Sequence, residues 1–426
     1  MKKVMAMEIE PILNNEQWTP RKKFLTLFLI VYLFLYIFPF PLYLVPGISE
    51  AVSYYQEALY FTFLWIGTNI FQIKNLDQLS ASGVYTIDYV KVFSLLLIAL
   101  AITTLAFFLD RRRANYNILY YLIIGYARYY VGLTILNYGF MKILGGQFGF
   151  PPLKIFETSF GSLSAPQLFW AFMGYSKLYG TFIALSEITA GFLLLFSRTK
   201  LIGSIMVIII MANVLLLDIA FLNSVIIFSS HLLLIAILIL YPHLKRIIDF
   251  LIFKKTEALE NVDYLFQSKR LRFGKAILKP LVLIGFAYLV IYPGVGKLFV
   301  KKTDPPLYGV YQIKKFHIGQ DSSITAADSI RWRRLIIDKR SSFITTMADF
   351  TSIYKTAIDT IKKTLNIISV KDTSDKYQFT YSEIADSSLI IRGSWKGKDV
   401  FINAKKKSIQ EYYLINRKPK NVMVEF

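Results

Sequence analysis

Residues 88–113 read DYVKVFSLLLIALAITTLAFFLDRRR, and this stretch decides the class of fold. No charged residue lies between Lys91 and Asp110. A helix that crosses the hydrocarbon core of a membrane needs about 20 predominantly apolar residues. The arginine run 111–113 follows directly, and Lys and Arg concentrate on the cytoplasmic side of membranes. We therefore predict a transmembrane helix whose C-terminal end faces the cytoplasm.

Six further apolar stretches have a similar length. Together they predict seven spans, at 24–45, 88–110, 117–141, 177–197, 201–219, 224–241 and 280–298. The chain of 426 residues is 55% hydrophobic and 16% aromatic, which is more apolar surface than a soluble domain of this size usually covers. The first run is longer than the roughly 7–15 apolar residues of a cleavable signal peptide, so we expect a retained helix. The sequence thus predicts an α-helical polytopic membrane protein.

Basic residues fall almost entirely on alternate loops. They are dense in residues 1–23, after the second and fourth spans, and in the loop 242–279. The positive-inside rule therefore puts the N-terminus and the loop 242–279 in the cytoplasm, and residues 303–426 outside. Since cytoplasmic loops account for much of the formal net charge of +21, no nucleic-acid partner is expected.

A short apolar segment, Ala58–Ile73, tests this topology. Glu57 precedes it and Asn69 lies within it. If this segment crossed the membrane, the arginine run 111–113 would lie outside. The segment is also shorter than a span. We therefore predict an interfacial or re-entrant helix within an N-terminal helix pair at 24–114.

The region 303–426 changes character. Short runs alternate apolar and polar residues and are separated by turn residues; they read LYGVYQIKKF, RWRRLIID, KYQFTYSEI, SLIIRG, KDVFINA and EYYLINR. A period of two predicts strands, and short strands at close intervals favour an antiparallel sheet closed into a small barrel or sandwich. The stretch 344–367 has some helical spacing, but we interpret it as strands.

Two ionisable residues lie deep in predicted spans. Arg128 is in the third span and Glu187 is in the fourth, at similar distances from the cytoplasmic ends. A charge in the membrane costs on the order of 2.5–3.5 kcal/mol on insertion scales, so each residue needs a partner. We predict an Arg128–Glu187 ion pair. It would serve either as a structural link between helices or as a polar site for a head group or proton.

Gly132, Gly139 and Lys142 follow Arg128 at offsets of four, seven and three residues. This spacing predicts one helix face on which the glycines allow a close approach by another helix or a ligand. Tyrosines surround this face. Their hydroxyls could bond a quinone-like carbonyl, although tyrosine also anchors helices at membrane interfaces.

Asn213 and Asp218 lie in the outer half of the fifth span, and His231 lies in the sixth. A His231–Asp218 pair could relay protons. The alternative is a histidine satisfied by the hydroxyl of Ser229 or Ser230. The chain has no cysteine, which excludes thiolate chemistry within it. No metal site or bis-histidine haem site is predicted.

The stretch RYYVGLTILNYGFMKILGG at 128–146 and the stretch SEITAGFLLLFSRTKLIG at 186–203 resemble the DoxX-like family. The order shared with the family is an arginine helix, an extracytoplasmic loop, a glutamate helix with Gly191, and a short basic turn. With the sixth span, the resemblance implies a four-helix unit at 115–241. Members look like subunits of membrane redox systems, including a DoxD-type thiosulfate:quinone oxidoreductase subunit.

The resemblance implies a protein of the bacterial inner (plasma) membrane that contacts quinone. Arg128, Lys142 and Glu187 are its candidate polar residues. Any thiol-dependent step would belong to a partner chain. Three hypotheses follow: an accessory or quinone-contacting subunit of a redox system, a membrane scaffold or assembly factor that binds an extracytoplasmic partner through the β domain, and a transporter of small solutes or lipid. Apart from quinone, no cofactor is expected.

Overall fold

The computed structural model describes residues 17–45, 47–76, 84–254, 277, 280–298, 303–319, 328–339, 341–384 and 387–416. Parts of the two predicted cytoplasmic segments, residues 1–16 and most of 255–279, lie outside the described residues. Two compact units divide the chain. The helical unit comprises 1–148 and 179–299, and the barrel unit comprises 149–178 and 300–426.

The helical unit contains most of the predicted spans. Its long helices are α1 (Pro20–Ile37), α2 (Ser49–Trp65), α3 (Thr86–Leu109), α4 (Asn117–Ile143), α7 (Lys177–Leu195), α8 (Lys200–Ala220) and α9 (Ile226–Leu251). Of the described helices, α3, α4, α7, α8 and α9 have the length and hydropathy of a membrane span. The helical membrane unit is therefore confirmed, but the count of seven spans is not, because five helices meet these criteria.

The first predicted span, 24–45, has different boundaries in the structure. Helix α1 starts at Pro20 after Thr19, whose side chain accepts a hydrogen bond from the backbone N–H of Lys22. It ends at Ile37, before Pro39 and Pro41. Proline has no N–H to donate and clashes with the preceding helical turn. A prolyl pair therefore ends the helix although the apolar run continues.

Two other helices differ from their predicted lengths. The helix predicted from the segment 58–73 begins earlier, at Ser49, and continues through a π turn, Ile66–Ile70. Helix α9 continues past the predicted boundary at 241 to Leu251, with Pro242 inside it. The last predicted span, 280–298, is helical throughout and includes a π turn at Ala287–Ile291.

Helices α4 and α7 pack closely through glycine. A β-carbon at Gly139 would lie 2.9 Å from the carbonyl oxygen of Ala184, and one at Gly191 would lie 2.8 Å from the carbonyl oxygen of Gly132. The backbones therefore approach more closely than side chains would allow. The predicted packing role of these three glycines agrees with these contacts.

The barrel unit contains a closed antiparallel barrel in which consecutive strands are neighbours and β1 pairs with β8. The strands are β1 (Gly309–Ile318), β2 (Trp332–Ile337), β3 (Ser342–Thr346), β4 (Thr351–Asp359), β5 (Thr364–Ser369), β6 (Lys376–Ile384), β7 (Ser388–Trp395) and β8 (Lys398–Lys407). The predicted barrel is thus confirmed over the alternative sandwich. The ambiguous stretch 344–367 forms strands.

Large aromatic and aliphatic side chains fill the barrel. Trp332, Phe379 and Trp395 are almost fully buried, and the ring centroids of the two tryptophans lie 5.1 Å apart, edge to face. The run EYYLINR was wrongly predicted as a strand. Its described part forms a 3₁₀ turn and a short helix, Tyr413–Asn416. Since β1 pairs with β2 and β8, the closed sheet offers no edge to it.

The segment 149–178 belongs to the barrel unit, although the sequence prediction placed it within the four-helix unit. It contains the short helix α5 (Leu153–Phe156) and α6 (Ala165–Tyr175). Leu153 is buried in an apolar cluster with Val310, Ile336 and Tyr412. The outer wall of the barrel therefore packs against a loop that lies far away in the sequence.

Candidate functional site

Glu187 forms a buried ion pair with Lys142. The ammonium nitrogen of Lys142 lies 2.9 and 2.8 Å from the two carboxylate oxygens, and the two side chains are only 7% and 4% exposed. The predicted Arg128–Glu187 pair is therefore wrong: the partner of Glu187 is the other cation that the sequence placed on the same face of α4.

The register of α4 against α7 explains this choice. Gly132 lies opposite Gly191, and Gly139 lies opposite Ala184, so Glu187 is level with residues between the two α4 glycines. Side chains lean toward the N-terminus of their own helix. In this antiparallel pair, Lys142 and Glu187 lean toward each other, and Arg128 leans away. Arg128 is also separated from Lys142 by about 20 Å along the helix.

Arg128 is half-buried, and its guanidinium carbon lies 5.3 Å from the centroid of the Tyr129 ring. Its Nε atom is buried and has no hydrogen-bond partner among the described residues. Arg128 is therefore not brought together with Lys142 and Glu187.

His231 bonds two groups, and neither is a predicted partner. Nδ1 lies 2.7 Å from the carbonyl oxygen of Ile227, and Nε2 lies 2.7 Å from the hydroxyl of Tyr32. Because a carbonyl only accepts, Nδ1 carries a proton, and in the neutral ring Nε2 accepts from Tyr32. The ring also stacks on Tyr36, with centroids 4.2 Å apart. Tyr32 and Tyr36 are on α1, which the prediction left outside the site.

The predicted hydroxyl partners of His231 bond the backbone instead. Ser229 and Ser230 donate to carbonyls one turn earlier in α9. Asp218 is 4% exposed and accepts a 3.2 Å hydrogen bond from Asn223, so no His231–Asp218 relay forms. Asn213 is exposed on the surface of the helical unit and is not brought together with Asp218 or His231.

A cavity of about 580 Å³ lies in the helical unit. It lies where α1 and α4 end and where α3 and α9 begin, so one end of the helical unit contains it. Its walls are largely aromatic and aliphatic, from Phe38, Phe40, Phe63, Phe228 and Phe286 among others. Ligand pockets typically enclose about 300–1,000 Å³, so this cavity has the size of a small-molecule site.

Polar groups line this cavity from four helices. They are Tyr36 of α1, Gln56 and Tyr60 of α2, Asp88 and Lys91 of α3, and Tyr130, Thr134, Asn137 and Tyr138 of α4. The tyrosines of α4 were noted in the sequence, whereas the groups on α1, α2 and α3 were missed. The signal that could have found the α3 groups is the pair of charges, Asp88 and Lys91, in the first turns of an otherwise apolar span.

The cavity and the buried ion pair are neighbours through Tyr138. This side chain lines the cavity, and the ammonium nitrogen of Lys142 lies 5.5 Å from its ring centroid. Tyr138 also packs against Phe228, with ring centroids 6.2 Å apart. The helical unit therefore combines an apolar cavity with buried charge next to its wall.

A second charged site, missed in the sequence, lies in the barrel unit. Glu157 is 5% exposed, and its carboxylate lies 2.8 Å from Nε of Arg334 and 2.8 Å from Nζ of Lys407. Tyr412 donates a short hydrogen bond to the same carboxylate. Burial opposes ionisation of Glu157, but the bonds from Lys407 and Tyr412 and the charge of Arg334 outweigh it, so its pKa lies below the usual range.

The fold and these sites define a helical membrane protein with a separate β-barrel unit. No family model matches the chain, and no solved structure matches it. Over 94 residues the chain is 34% identical to the uncharacterized protein YwoB of Bacillus subtilis (strain 168). The similar region covers 22% of this chain and 59% of that protein.

Proposed function

We propose that this chain is an accessory, quinone-binding subunit of a membrane redox system, with the ligand in the cavity of the helical unit. The observation that carries the proposal is the cavity itself: about 580 Å³, with aromatic walls and polar groups from four helices. The resemblance of 128–146 and 186–203 to DoxX-like proteins points to the same class of ligand.

The chemistry of the walls favours a flat ring that carries oxygen substituents. Aromatic side chains pack against rings in offset or edge-to-face arrangements, and Tyr130 and Phe40 already do so, with centroids 5.5 Å apart. The amide of Asn137 and the hydroxyl of Tyr138 supply donors for a carbonyl oxygen. A mostly apolar pocket with a few convergent polar groups suits a ligand that arrives from the lipid.

The proposal includes the topology of the whole chain. In it, α1 and the helix 280–298 are two further spans beside the five long apolar helices. The N-terminus then lies in the cytoplasm of a bacterial cell and the barrel unit lies outside. The alternation of basic loops supports this arrangement.

Quinone binding is tested on the purified protein in mild detergent. A short-chain quinone is titrated while intrinsic aromatic fluorescence is followed. Thr134→Phe fills part of the cavity and is expected to weaken binding at least tenfold, whereas Thr189→Phe, on the exposed face of α7, is the matched control and leaves binding unchanged.

Arg128→Ala discriminates between this proposal and the earlier sequence prediction. Arg128 does not line the cavity, so its removal is expected to leave the dissociation constant within about twofold of wild type. If Thr134→Phe binds quinone as well as wild type does, the cavity is not the quinone site. Solute flux into vesicles that contain only this protein would instead support the transporter hypothesis.

A scaffold function is the second candidate, and the packed barrel favours it. Because aromatic and aliphatic side chains fill the barrel interior, its outer surface is the part available to a partner. A chain that ends before residue 303 would then lose a partner captured by the full chain. Retained capture would rule out the barrel as the docking element.

A further inference from the structure

The buried polar cluster beside the cavity contains two carboxyl groups and one ammonium group. Glu187 and Asp218 are 3% and 4% exposed, and Asp218 lies close enough to Lys142 for their charges to interact. Lys142 bonds both oxygens of Glu187. Tyr138 adds a phenol near both carboxyl groups, but no second cation from α4, α7 or α9 faces the cluster in the described residues.

An unpaired carboxylate in such a place is costly. Transfer of an ionised group out of water without a counter-charge costs several kcal/mol or more, and such a group neutralises instead. Lys142 offsets one of the two charges. The other has a neutral hydrogen-bond donor, the amide of Asn223, and its second oxygen, Oδ2, is buried without a partner among the described residues.

The surroundings of Asp218 show where a proton fits. Asn223 donates to one carboxyl oxygen, Oδ1. The hydroxyl of the neighbouring Ser229 gives its single proton to the carbonyl oxygen of Val225 or Ile226, at 3.2 and 3.1 Å. The other oxygen, Oδ2, therefore receives no hydrogen bond from the described residues, and a proton bound to it would neutralise the buried group.

We propose that Asp218 is a proton-binding site of the helical unit, and that Lys142, Glu187 and Asp218 together hold one exchangeable proton. Lys142 holds Glu187 ionised, and Asp218 carries the proton. The site lies at the C-terminal end of α8, where the turn 221–225 leads to α9, so a proton has a short path to the end of the helical unit. The proposal does not depend on which molecule fills the cavity.

Infrared spectroscopy of the purified full chain tests it. A neutral carboxylic acid has a C=O stretching band above the amide region, and this band shifts in D₂O. The wild type is expected to show the band, and Asp218→Asn is expected to lose it. Lys142→Met removes the cation and is expected to add a second acid band, because both carboxyl groups then neutralise.

Glu187→Gln gives the opposite result. Lys142 then has Asp218 as its remaining carboxylate partner, so Asp218 ionises and the acid band disappears. Asp110→Asn changes an exposed carboxyl group at the end of α3 and is the matched control, which leaves the band unchanged.

Three outcomes would overturn the proposal. The first is a wild-type spectrum without the acid band. The second is an Asp218→Asn spectrum that retains it. The third is failure of Asp218→Asn to fold, because an asparagine amide matches the shape of a neutral carboxyl group and donates where that group would.

Discussion

The carboxylate of Glu157 binds donors from two distant segments of the barrel unit. Arg334 comes from β2, Lys407 ends β8, and Tyr412 follows it in the chain. Each donor was visible in the sequence only as one basic or aromatic residue among many. A buried carboxylate with charged donors depends strongly on each partner, and this makes Glu157 the residue that couples the loop 149–178 to the barrel.

Glu157→Gln is expected to lower the free energy of unfolding of the barrel unit by about 2–3 kcal/mol at pH 7. The lowered pKa of Glu157 means that its stabilisation is present above about pH 4.3, the value of a free glutamate. It is lost as the pH falls through the lower value of the folded state. The free energy of unfolding of the Glu157→Gln variant should therefore decrease less than that of the wild type when the pH is lowered into this range.

The change in stability of the barrel unit is measured by hydrogen exchange of barrel peptides at pH 7 and under acid conditions. Glu383→Gln is the matched control, because Glu383 pairs with Lys363 at 3.7 Å on the surface, where both side chains are more than half exposed. Exposed pairs contribute about 0–1 kcal/mol. Equal behaviour of the two variants would show that Glu157 does not hold the loop to the barrel.

At the scale of elements, the glycine spacing predicted the packing of α4 on α7, but it did not predict the ion pair between Lys142 and Glu187. Gly132, Gly139 and Lys142 share the face predicted for them. Which cation meets Glu187 depends on the offset between two antiparallel helices. Depth counted from helix ends does not determine that offset, because close glycine contacts set it and the helix ends are irregular.

Gly139→Ala tests this packing. The added β-carbon would lie 2.7 Å from Cγ1 of Ile188 and 2.9 Å from the carbonyl oxygen of Ala184, and the backbone atom cannot move aside as a side chain can. We expect the free energy of unfolding to decrease by about 1–3 kcal/mol. The midpoint of thermal unfolding in detergent, measured by circular dichroism, should be lower than that of the wild type.

Gly125→Ala, on the same helix, is the control for helix propensity. A β-carbon at Gly125 meets nothing within 4 Å, and alanine favours a helix over glycine by up to about 1 kcal/mol. Its midpoint should stay the same or rise. A Gly139→Ala variant as stable as Gly125→Ala would mean that α4 and α7 can separate without cost.

At the scale of the whole molecule, the orientation of the chain is a prediction from charge alone. Because the chain contains no cysteine, single cysteines report topology without a background. In intact cells, Thr373→Cys, exposed between β5 and β6, is expected to react with a membrane-impermeant maleimide. Arg112→Cys, after α3, should react only after the cells are opened.

The opposite labelling pattern would invert the orientation and place the barrel in the cytoplasm. Labelling of both positions in intact cells would contradict the five spans proposed between them, because an odd number of crossings puts the two positions on opposite sides of the membrane. A denatured sample, in which both cysteines react, controls for expression. The experiment thus tests the positive-inside assignment independently of any ligand.

Much of the architecture was determined by the sequence alone, because it depends on local patterns. Long apolar runs predict membrane helices, and alternating short runs predict the strands of the barrel. Predicted helix boundaries such as 88–110 and 117–141 lie close to Thr86–Leu109 and Asn117–Ile143. Proline explains why α1 ends before its predicted boundary, whereas α9 continues past its predicted end with Pro242 inside it.

Only the tertiary structure decided which groups meet. The pair Lys142–Glu187, the bond from Tyr32 to His231, and the donors to Glu157 join residues far apart in the chain. The cavity is built from six helices whose relative offsets no single segment specifies. The physical reason is that periodicity shows which face of an element is apolar, whereas partners depend on packing and register between elements.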